Sequence, residues 1–416
     1  MDKRRVVITG LGVVAPNGIG IEDFWGSLVH GRSGVRRITH FDASSYPCQI
    51  AGETRDFQPL NYMSPKSVRR MDRFSQFAVA CAQMALDDAK IEITQNNSGR
   101  IGIVIGSALG GIPSAEEQHS IFIEKGLKRT DPLLATKLFL GAATSQISIE
   151  IGINGHSNTI GGACSVGTDC VGYAFHAIRN NLADIMITGG SEAPLSPLTF
   201  GAFCQIGALS TRNGDPTRAS RPFDKERDGF VMSEGAGLLV LEDLQNALRR
   251  GASIYAEVIG YGTTNDAYNM VHPLPSGEHA KKAIQLALQC ANIDSFEIDY
   301  INAHGSSTPL NDKTETKIIK EMFGEYAYKL PISSIKSMIG HTLGAAGSIE
   351  AIASALTIKH QFIPPTINYE IKDPECDLDY VPNKGRRATV NTVLSSSYGF
   401  GGKNSALIIR KVFSSV

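Results

Sequence analysis

The chain contains 416 residues, of which 42% are hydrophobic and 19% charged, so we expect a large buried core with little charged surface. Lysine and arginine total 40 against 41 acidic residues, which argues against a nucleic-acid-binding or polybasic membrane-binding protein. No run of about 20 predominantly apolar residues occurs, so no transmembrane segment is predicted. Seven scattered cysteines without a CxxC pair are typical of a reducing compartment, and we expect a cytoplasmic protein.

Short β-branched runs alternate with amphipathic stretches, which predicts an α/β fold with covered sheets. In chain order, the predicted strands are 5–9, 102–105, 184–188, 237–241 and 406–409. The predicted helices, which have i, i+3, i+4 apolar spacing, are 74–90, 170–181, 277–291 and 348–359. Two glycine-rich loops, beginning at Gly161 and Gly340, each precede a helix, and this internal echo indicates a duplicated fold.

A G-x-G-x-x-A pattern, from Gly10 to Ala15, follows the first predicted strand. A dinucleotide site requires a helix to start there, so that its N-terminus faces the pyrophosphate. Here the turn sequence Pro16-Asn17-Gly18 follows, so we interpret the pattern as a strand and a turn. No GxxxxGK[ST] sequence occurs, which excludes a P-loop.

Cys164 is the strongest candidate nucleophile, because it lies in the glycine-rich segment IGGACSVG just before a predicted helix. Glycines leave room for a ligand, and a helix N-terminus lowers the pKa of a thiol. From these residues alone, a small buried structural cysteine is an equal alternative. Cys170, inside the predicted helix, is expected in the core.

Two of the ten histidines lie among small residues, His304 in NAHGSSTP and His341 in KSMIGHT, which favours side chains that face a cavity. One cysteine with two histidines also suits zinc, but no fourth ligand is apparent, and we predict no metal site. Covalent thioester chemistry fits this set better. Phe400 lies in YGFGGKN, whose backbone N–H groups suit an oxyanion hole, although a glycine-rich hairpin turn explains that stretch by itself.

Together these motifs resemble the β-ketoacyl-acyl-carrier-protein synthases of the KAS I/II type, and KAS II most closely. The resemblance covers the chain from RRVVITGLG to SALIIR and rests on GACSVG, the segment 221–237, NAHGSSTPLND, SSIKSMIGHTLGAAG and YGFGGKN, in family order. It implies the thiolase-like α/β fold, in which two duplicated βαβαβαββ halves form a five-layered αβαβα core. It places the halves at residues 1–250, with the nucleophile, and 251–416, with the two histidines.

The resemblance also implies the catalytic roles. Cys164 matches the acyl-accepting nucleophile, and His304 and His341 match the paired catalytic histidines. The N–H groups of Cys164 and Phe400 match the oxyanion hole. No metal or cofactor is implied, since the acyl and malonyl groups arrive on the phosphopantetheine arm of an acyl carrier protein.

Further residues match supporting positions of the family. Lys336 and Glu350 match a supporting polar network, Phe400 matches a gate, and Leu109 and Phe400 match the acyl pocket. Basic residues that match positions for docking the acidic carrier protein are Lys66, Arg69, Arg70, Lys128, Arg129 and Arg212.

The function implied is an acyltransferase of dissociated fatty acid synthesis, which condenses an acyl chain on Cys164 with malonyl carrier protein in a homodimer. The alternative is a specialised type II polyketide or polyene ketosynthase, in a heterodimer with a chain-length factor. Lys403, Ser306 and the serines at 395–397 depart from the usual KAS II pattern, so chain length and pathway stay open.

Two other interpretations are disfavoured. A non-catalytic chain-length factor would have a replaced nucleophile, whereas this chain has Cys164 and both histidines. A thiolase would have a second reactive cysteine near the C-terminus. The one cysteine after His304 is Cys376, which lies outside any glycine-rich loop.

Overall fold

The computed structural model describes residues 4–413. Residues 1–3 of the first predicted half and residues 414–416 of the second lie outside the described residues. The strands are β1 Val6–Ala15, β2 Gly18–Ile19, β3 Val35–Arg37, β4 Ile50–Gly52, β5 Ile101–Ser107, β6 Ser157–Gly161, β7 Ile185–Glu192, β8 Gly235–Asp243, β9 Ala256–Asn265, β10 Tyr300–Asn302, β11 Ile332–Ser333, β12 Phe362–Ile363, β13 Arg386–Arg387, β14 Thr392–Gly399 and β15 Lys403–Arg410. The α-helices are α1 Ile21–Val29, α2 Pro65–Arg70, α3 Arg73–Ala89, α4 Ile112–Lys125, α5 Leu134–Leu138, α6 Ala142–Ile151, α7 Val166–Arg179, α8 Pro197–Ile206, α9 Leu244–Arg249, α10 Glu278–Ala291, α11 Pro309–Phe323, α12 Lys336–Ile339 and α13 Ala346–His360.

Two five-stranded units have the same topology. The spatial order is β1-β8-β7-β5-β6 in the first unit and β9-β15-β14-β10-β11 in the second. In each unit the first two strand pairs are antiparallel and the last two are parallel. Residues 6–8 of β1 also pair with β9, which joins the units into one sheet. This repeated order confirms the duplicated fold.

Five layers follow from how the helices cover the two units. Helices α7 and α13 lie between the units, and their apolar side chains share one cluster with the inner faces of β1, β8, β9 and β15. Helices α3 and α6 cover the outer face of the first unit, and α10 and α11 cover that of the second. Side chains alternate between the faces, as Leu239 faces the centre while Leu238 and Val240 face outward.

Gly10 and Gly12 of β1 let α3 lie directly on the strand. A Cβ atom at Gly10 would lie 2.1 Å from the carbonyl oxygen of Ala85, and one at Gly12 would lie 2.0 Å from that of Cys81. Two glycines of β9 contact α10 in the same way. The pattern that mimics a dinucleotide motif therefore serves helix packing.

All nine predicted elements are present, with shifted ends. The first strand extends to Ala15 rather than residue 9, because its glycines pack against a helix instead of ending the strand. Helix α7 begins at Val166 rather than at residue 170, which places Cys164 just before its N-terminus. Among residues 4–413, no helix is both long and apolar enough to cross a membrane.

Candidate active site

A cavity of about 270 Å³ lies where loops of the two units meet. Cys164, His304, His341 and Phe400 all line it, so the structure brings together the four residues proposed from the sequence for the reaction. The rest of the wall is mainly apolar, and the ring of Phe203 on α8 stacks on Phe400 with a centroid separation of 6.1 Å. Such a wall suits an acyl chain better than a charged ligand.

Cys164 follows the end of β6, at the turn that leads into α7. The loop of Phe400 packs against this turn, and a Cβ atom at Gly399 would lie 2.9 Å from the amide nitrogen of Cys164. Burial raises the pKa of the Cys164 thiol to about 12, while the charge of Lys336 and the N–H of Phe400 only partly oppose the rise. Burial of the thiol thus acts against the lowering of its pKa that is expected just before a helix N-terminus.

The two histidines lie side by side, with ring centroids 5.3 Å apart and nearly perpendicular planes. Burial lowers the pKa of both rings well below the ordinary value, and the charge of Lys336 lowers both further, so both are neutral near pH 7. The backbone N–H of Leu343 lies 3.3 Å from Nδ1 of His341, and Nζ of Lys336 lies 3.4 Å from Nδ1 of His304. Both Nδ1 atoms thus face donors, which assigns the ring proton of each histidine to Nε2.

Lys336 and Glu350 form a buried ion pair behind His304. Nζ of Lys336 also donates to the carbonyl oxygen of His304 over 2.8 Å, so the lysine holds both the backbone and the ring of this histidine. Burial raises the pKa of Glu350 to about 7, although Lys336 acts in the opposite direction. Lys336 thus contacts His304 directly, and Glu350 is joined to this histidine through Lys336.

Glu315 is a site residue that the sequence analysis missed. Its carboxylate on α11 accepts the backbone N–H groups of His304 and Gly305, each over 2.8 Å. Burial raises the pKa of Glu315 to about 8. It lies on a polar helix, and no sequence pattern around it distinguishes it from a solvent-exposed glutamate.

The loop of Phe400 is tied to the segment that follows β9. Asp266 donates its backbone N–H to the carbonyl oxygen of Gly402, and the side-chain amide of Asn404 donates to Asp266, over 2.8 and 2.7 Å respectively. The N–H of Gly401 donates to the carbonyl oxygen of Met270 over 2.8 Å. These bonds fix the position of the predicted gate in this structure.

Leu109 does not line the cavity. It packs in the apolar cluster that also contains Cys164, Phe203 and Leu343, so it lies in the wall behind Cys164. Its role in setting the depth of the acyl pocket stays a prediction.

The six proposed docking residues differ in their surroundings. Lys66, Arg69 and Arg70 on α2, with Lys128 and Arg129 after α4, are exposed. Arg212, in contrast, donates to the carbonyl oxygen of Glu226 over 2.7 Å and also pairs with the carboxylates of Glu226 and Asp228. Its charge is therefore partly neutralised within the chain. Among the described residues, no cluster of histidine, cysteine and acidic side chains could hold a metal ion.

Comparison with known proteins agrees with this geometry. The family model described as "Beta-ketoacyl synthase, N-terminal domain" matches residues 3–247, and "Beta-ketoacyl synthase, C-terminal domain" matches residues 255–370. Proteins named 3-oxoacyl-[acyl-carrier-protein] synthase 2 from Synechocystis sp. and Coxiella burnetii are 46% and 47% identical to this chain. The alignments cover 99% of this chain in both cases, with 99% of the Synechocystis protein and 100% of the Coxiella protein.

Solved structures of polyketide ketosynthases are also similar. A type II ketosynthase bound to its acyl carrier protein and a hexaketide (AntDE:AntF) superposes with a TM-score of 0.92 at 38% identity. The ishigamide ketosynthase/chain length factor superposes with a TM-score of 0.93 at 38% identity. Both alignments cover 99% of this chain and 100% of the other chain. The fold and the site thus define a condensing enzyme of the thiolase-like class. The chain belongs to the β-ketoacyl synthase family.

Proposed function

We propose that the protein is a 3-oxoacyl-acyl-carrier-protein synthase of fatty acid elongation, which joins an acyl group to malonyl carrier protein and releases carbon dioxide. The observation that carries this proposal is one apolar cavity in which Cys164 lies with His304 and His341, both neutral and both protonated on Nε2. A thiol nucleophile and two neutral donors are the groups that thioester condensation requires.

In the first half-reaction, the sulfur of Cys164 attacks the thioester carbonyl carbon of an acyl carrier protein. The carbon–sulfur bond to pantetheine breaks, and the pantetheine sulfur leaves with the proton of the cysteine. The N–H groups of Cys164 and Phe400 donate to the oxyanion of the tetrahedral intermediate. Because burial keeps the free thiol protonated, this proton leaves during the reaction rather than before the substrate binds.

In the second half-reaction, malonyl carrier protein enters, and Nε2–H of His304 and of His341 donate to its thioester oxygen. The bond to the carboxylate breaks, carbon dioxide leaves, and the electron pair forms an enolate that the two donors stabilise. The enolate carbon attacks the acyl carbon on Cys164, and the cysteine sulfur leaves and regains a proton. These steps require neither a metal nor a further cofactor, since each substrate arrives on its carrier protein.

The direct test is to incubate the protein with an acyl carrier protein and malonyl carrier protein, and to weigh the protein and the products. We expect an acyl adduct on Cys164 and then a β-ketoacyl carrier protein. The Cys164→Ala variant should lose the adduct and the condensation product while its circular dichroism spectrum stays unchanged. Condensation by that variant at the wild-type rate would contradict the mechanism.

A specialised polyketide ketosynthase is the second candidate. It is favoured by the two structural neighbours at 38% identity, of which one is a ketosynthase bound to a hexaketide and the other is a ketosynthase/chain length factor. The curated relatives named 3-oxoacyl-acyl-carrier-protein synthase 2, at 46% and 47% identity over the full length, favour fatty acid elongation. Carrier proteins loaded with saturated acyl chains of increasing length, tested beside carrier proteins loaded with polyketide and polyene chains, should separate the two candidate functions. Elongation confined to the latter would support the second candidate.

A homodimer is the expected assembly. Strand β6 lies at the end of the first unit, and its residues are largely exposed. Exposed apolar side chains lie on or near α4, which buries none of its own residues: Phe122, Ile123, Leu127 and Phe139. An open strand edge beside apolar surface is a site for association with a second copy. Sedimentation should give a dimer for the purified chain, whereas a monomer would favour a heterodimer with a different chain.

The acyl carrier protein is the proposed partner in both half-reactions, and the exposed basic residues of α2 are its proposed docking site.

We also place the protein in the cytoplasm. All seven cysteines are free thiols in the structure, which suits a reducing compartment. Fractionation of source cells should recover the protein with cytoplasmic markers.

A further inference from the structure

Asp169 on α7 accepts hydrogen bonds from the hydroxyl groups of three separate segments. Ser165, the residue after Cys164, donates to its Oδ2 over 3.2 Å. Tyr261 on β9 donates to its Oδ1 over 2.8 Å, and Ser405 on β15 donates to the same oxygen. One carboxylate thus links the turn of the nucleophile, in the first unit, to two strands of the second unit.

The strand that holds Ser405 continues directly from the loop of Phe400. That loop covers residues 400–402, and β15 begins at Lys403. Burial raises the pKa of Asp169 above its ordinary value, while the three hydroxyl groups and the charge of Lys403 act in the opposite direction. The carboxylate therefore connects the two segments whose N–H groups, those of Cys164 and Phe400, must converge on one oxygen.

We propose that Asp169 is a positioning residue for acylation, which holds the turn of Cys164 in register with the loop of Phe400. This inference rests on the proposed function, because it requires Cys164 to be the acyl acceptor. Three hydroxyl donors on one side chain fix the relative positions of the segments that carry them. A misplacement of about 1 Å in an active site costs roughly a hundredfold in rate. A modest shift of either segment is therefore sufficient to slow acylation.

The test compares Asp169→Ala with the matched variant Asp88→Ala. Asp88 is also a helical aspartate that accepts a tyrosine hydroxyl, that of Tyr255, over 3.0 Å, and it accepts the N–H of Leu11 over 2.9 Å. Asp88 lies on α3 and is not among the residues that line the cavity. The acylation rate is measured by single-turnover mass spectrometry, and decarboxylation of malonyl carrier protein is measured without an acyl donor.

We expect Asp169→Ala to slow acylation by about tenfold to a hundredfold, while decarboxylation by the histidines changes by less than about threefold. Asp88→Ala should lower the melting temperature with both rates near those of the wild type. Equal acylation rates in the two variants would overturn the inference. If the wild type itself forms no acyl adduct, the proposed function fails instead, so the two failures are distinguishable.

Ser165→Ala by itself should also slow acylation, and this measurement does not depend on the folding of Asp169→Ala. Where Asp169→Ala folds, adding Ser165→Ala should cause little further loss, because the same contact is already broken. The conservative variant Asp169→Asn, whose amide oxygen still accepts from Tyr261 and Ser405, should recover part of the rate. Fully multiplicative losses in the double variant would overturn the inference.

Discussion

The backbone N–H of Leu343 donates a hydrogen bond to Nδ1 of His341 over 3.3 Å. Leu343 has a φ of 46°, in the left-handed region that a leucine rarely adopts. Such a conformation costs on the order of 1–3 kcal/mol and persists only where the surrounding structure holds it. The strained residue thus fixes the tautomer of His341, and Nε2 is left as the donor towards the cavity.

Replacement of His341 by glutamine and by asparagine tests this tautomer. The glutamine amide can place its N–H near the position of Nε2, whereas the shorter asparagine amide reaches only the position of Nδ1. We expect His341→Asn to lower the rate of malonyl decarboxylation by roughly a hundredfold or more, as for the loss of one oxyanion donor, and His341→Gln to lose less. Both variants should still acylate Cys164 in intact-mass measurements. Equal activity in the two variants would contradict the assignment of the proton to Nε2.

Glu192 joins the loop of Leu109 to the loop after His341. Its fully buried carboxylate accepts the N–H groups of Ala108 and Leu109 over 2.7 and 3.0 Å, and that of Gly344 over 3.1 Å. In Glu192→Gln one acceptor oxygen becomes an NH₂ group, which leaves buried N–H groups without a partner at about 1–3 kcal/mol each. We expect the free energy of unfolding to fall by about 2–5 kcal/mol, measured by urea denaturation.

The control for Glu192→Gln is the same change at Glu226. The side chain of Glu226 is 52% exposed and pairs with Arg212 at the surface, so its replacement should change the free energy of unfolding by less than about 1 kcal/mol. Similar losses in the two variants would show that the buried bonds of Glu192 contribute no more than a surface pair.

The three side chains proposed for the reaction could be identified from the sequence, because each lies in a short motif of small residues. Cys164, His304 and His341 were assigned in this way, and the structure places them on one cavity. The acidic residues behind them were partly missed, because a glutamate on a polar helix such as Glu315 has no local pattern that shows its complete burial. Its partners, N–H groups of another loop, exist only once the chain has folded.

Ion pairs between distant residues and very short strands are also not evident from the sequence. The pairing of Arg212 with Glu226 and Asp228 is not evident from the sequence motifs, although it decides how much charge Arg212 offers to a partner. The strands β10 and β11 contain three and two residues, too few for an alternating pattern to identify. The burial that raises the pKa of Cys164 is likewise not evident from the motif around it, because burial depends on the folded chain.

Glu315 should make the stability of the protein depend on pH. Burial raises its pKa from the ordinary 4.5 to about 8, so between these values the folded state holds a proton that the unfolded state has lost. The free energy of unfolding should therefore fall as pH rises from 5 to 9, with a contribution from Glu315 of at most a few kcal/mol. Glu315→Gln cannot titrate, so its urea denaturation should show a smaller fall over this range. Parallel curves for the variant and the wild type would contradict the raised pKa.

Arg69 and Arg70 should contribute to carrier-protein docking through charge alone. Both are exposed on α2, so an acidic partner can approach them directly. Replacing both by alanine should raise KM for the acyl carrier protein by about two- to tenfold at low salt, mainly through slower association. The effect should nearly vanish at 1 M salt, where the screening length is about 3 Å.

Arg387→Ala, which removes an exposed charge from β13, is the matched control and should leave KM unchanged at both salt concentrations. An equal rise in KM for this control would show a general effect of net charge, and an effect of Arg69 and Arg70 that persists at high salt would contradict electrostatic docking.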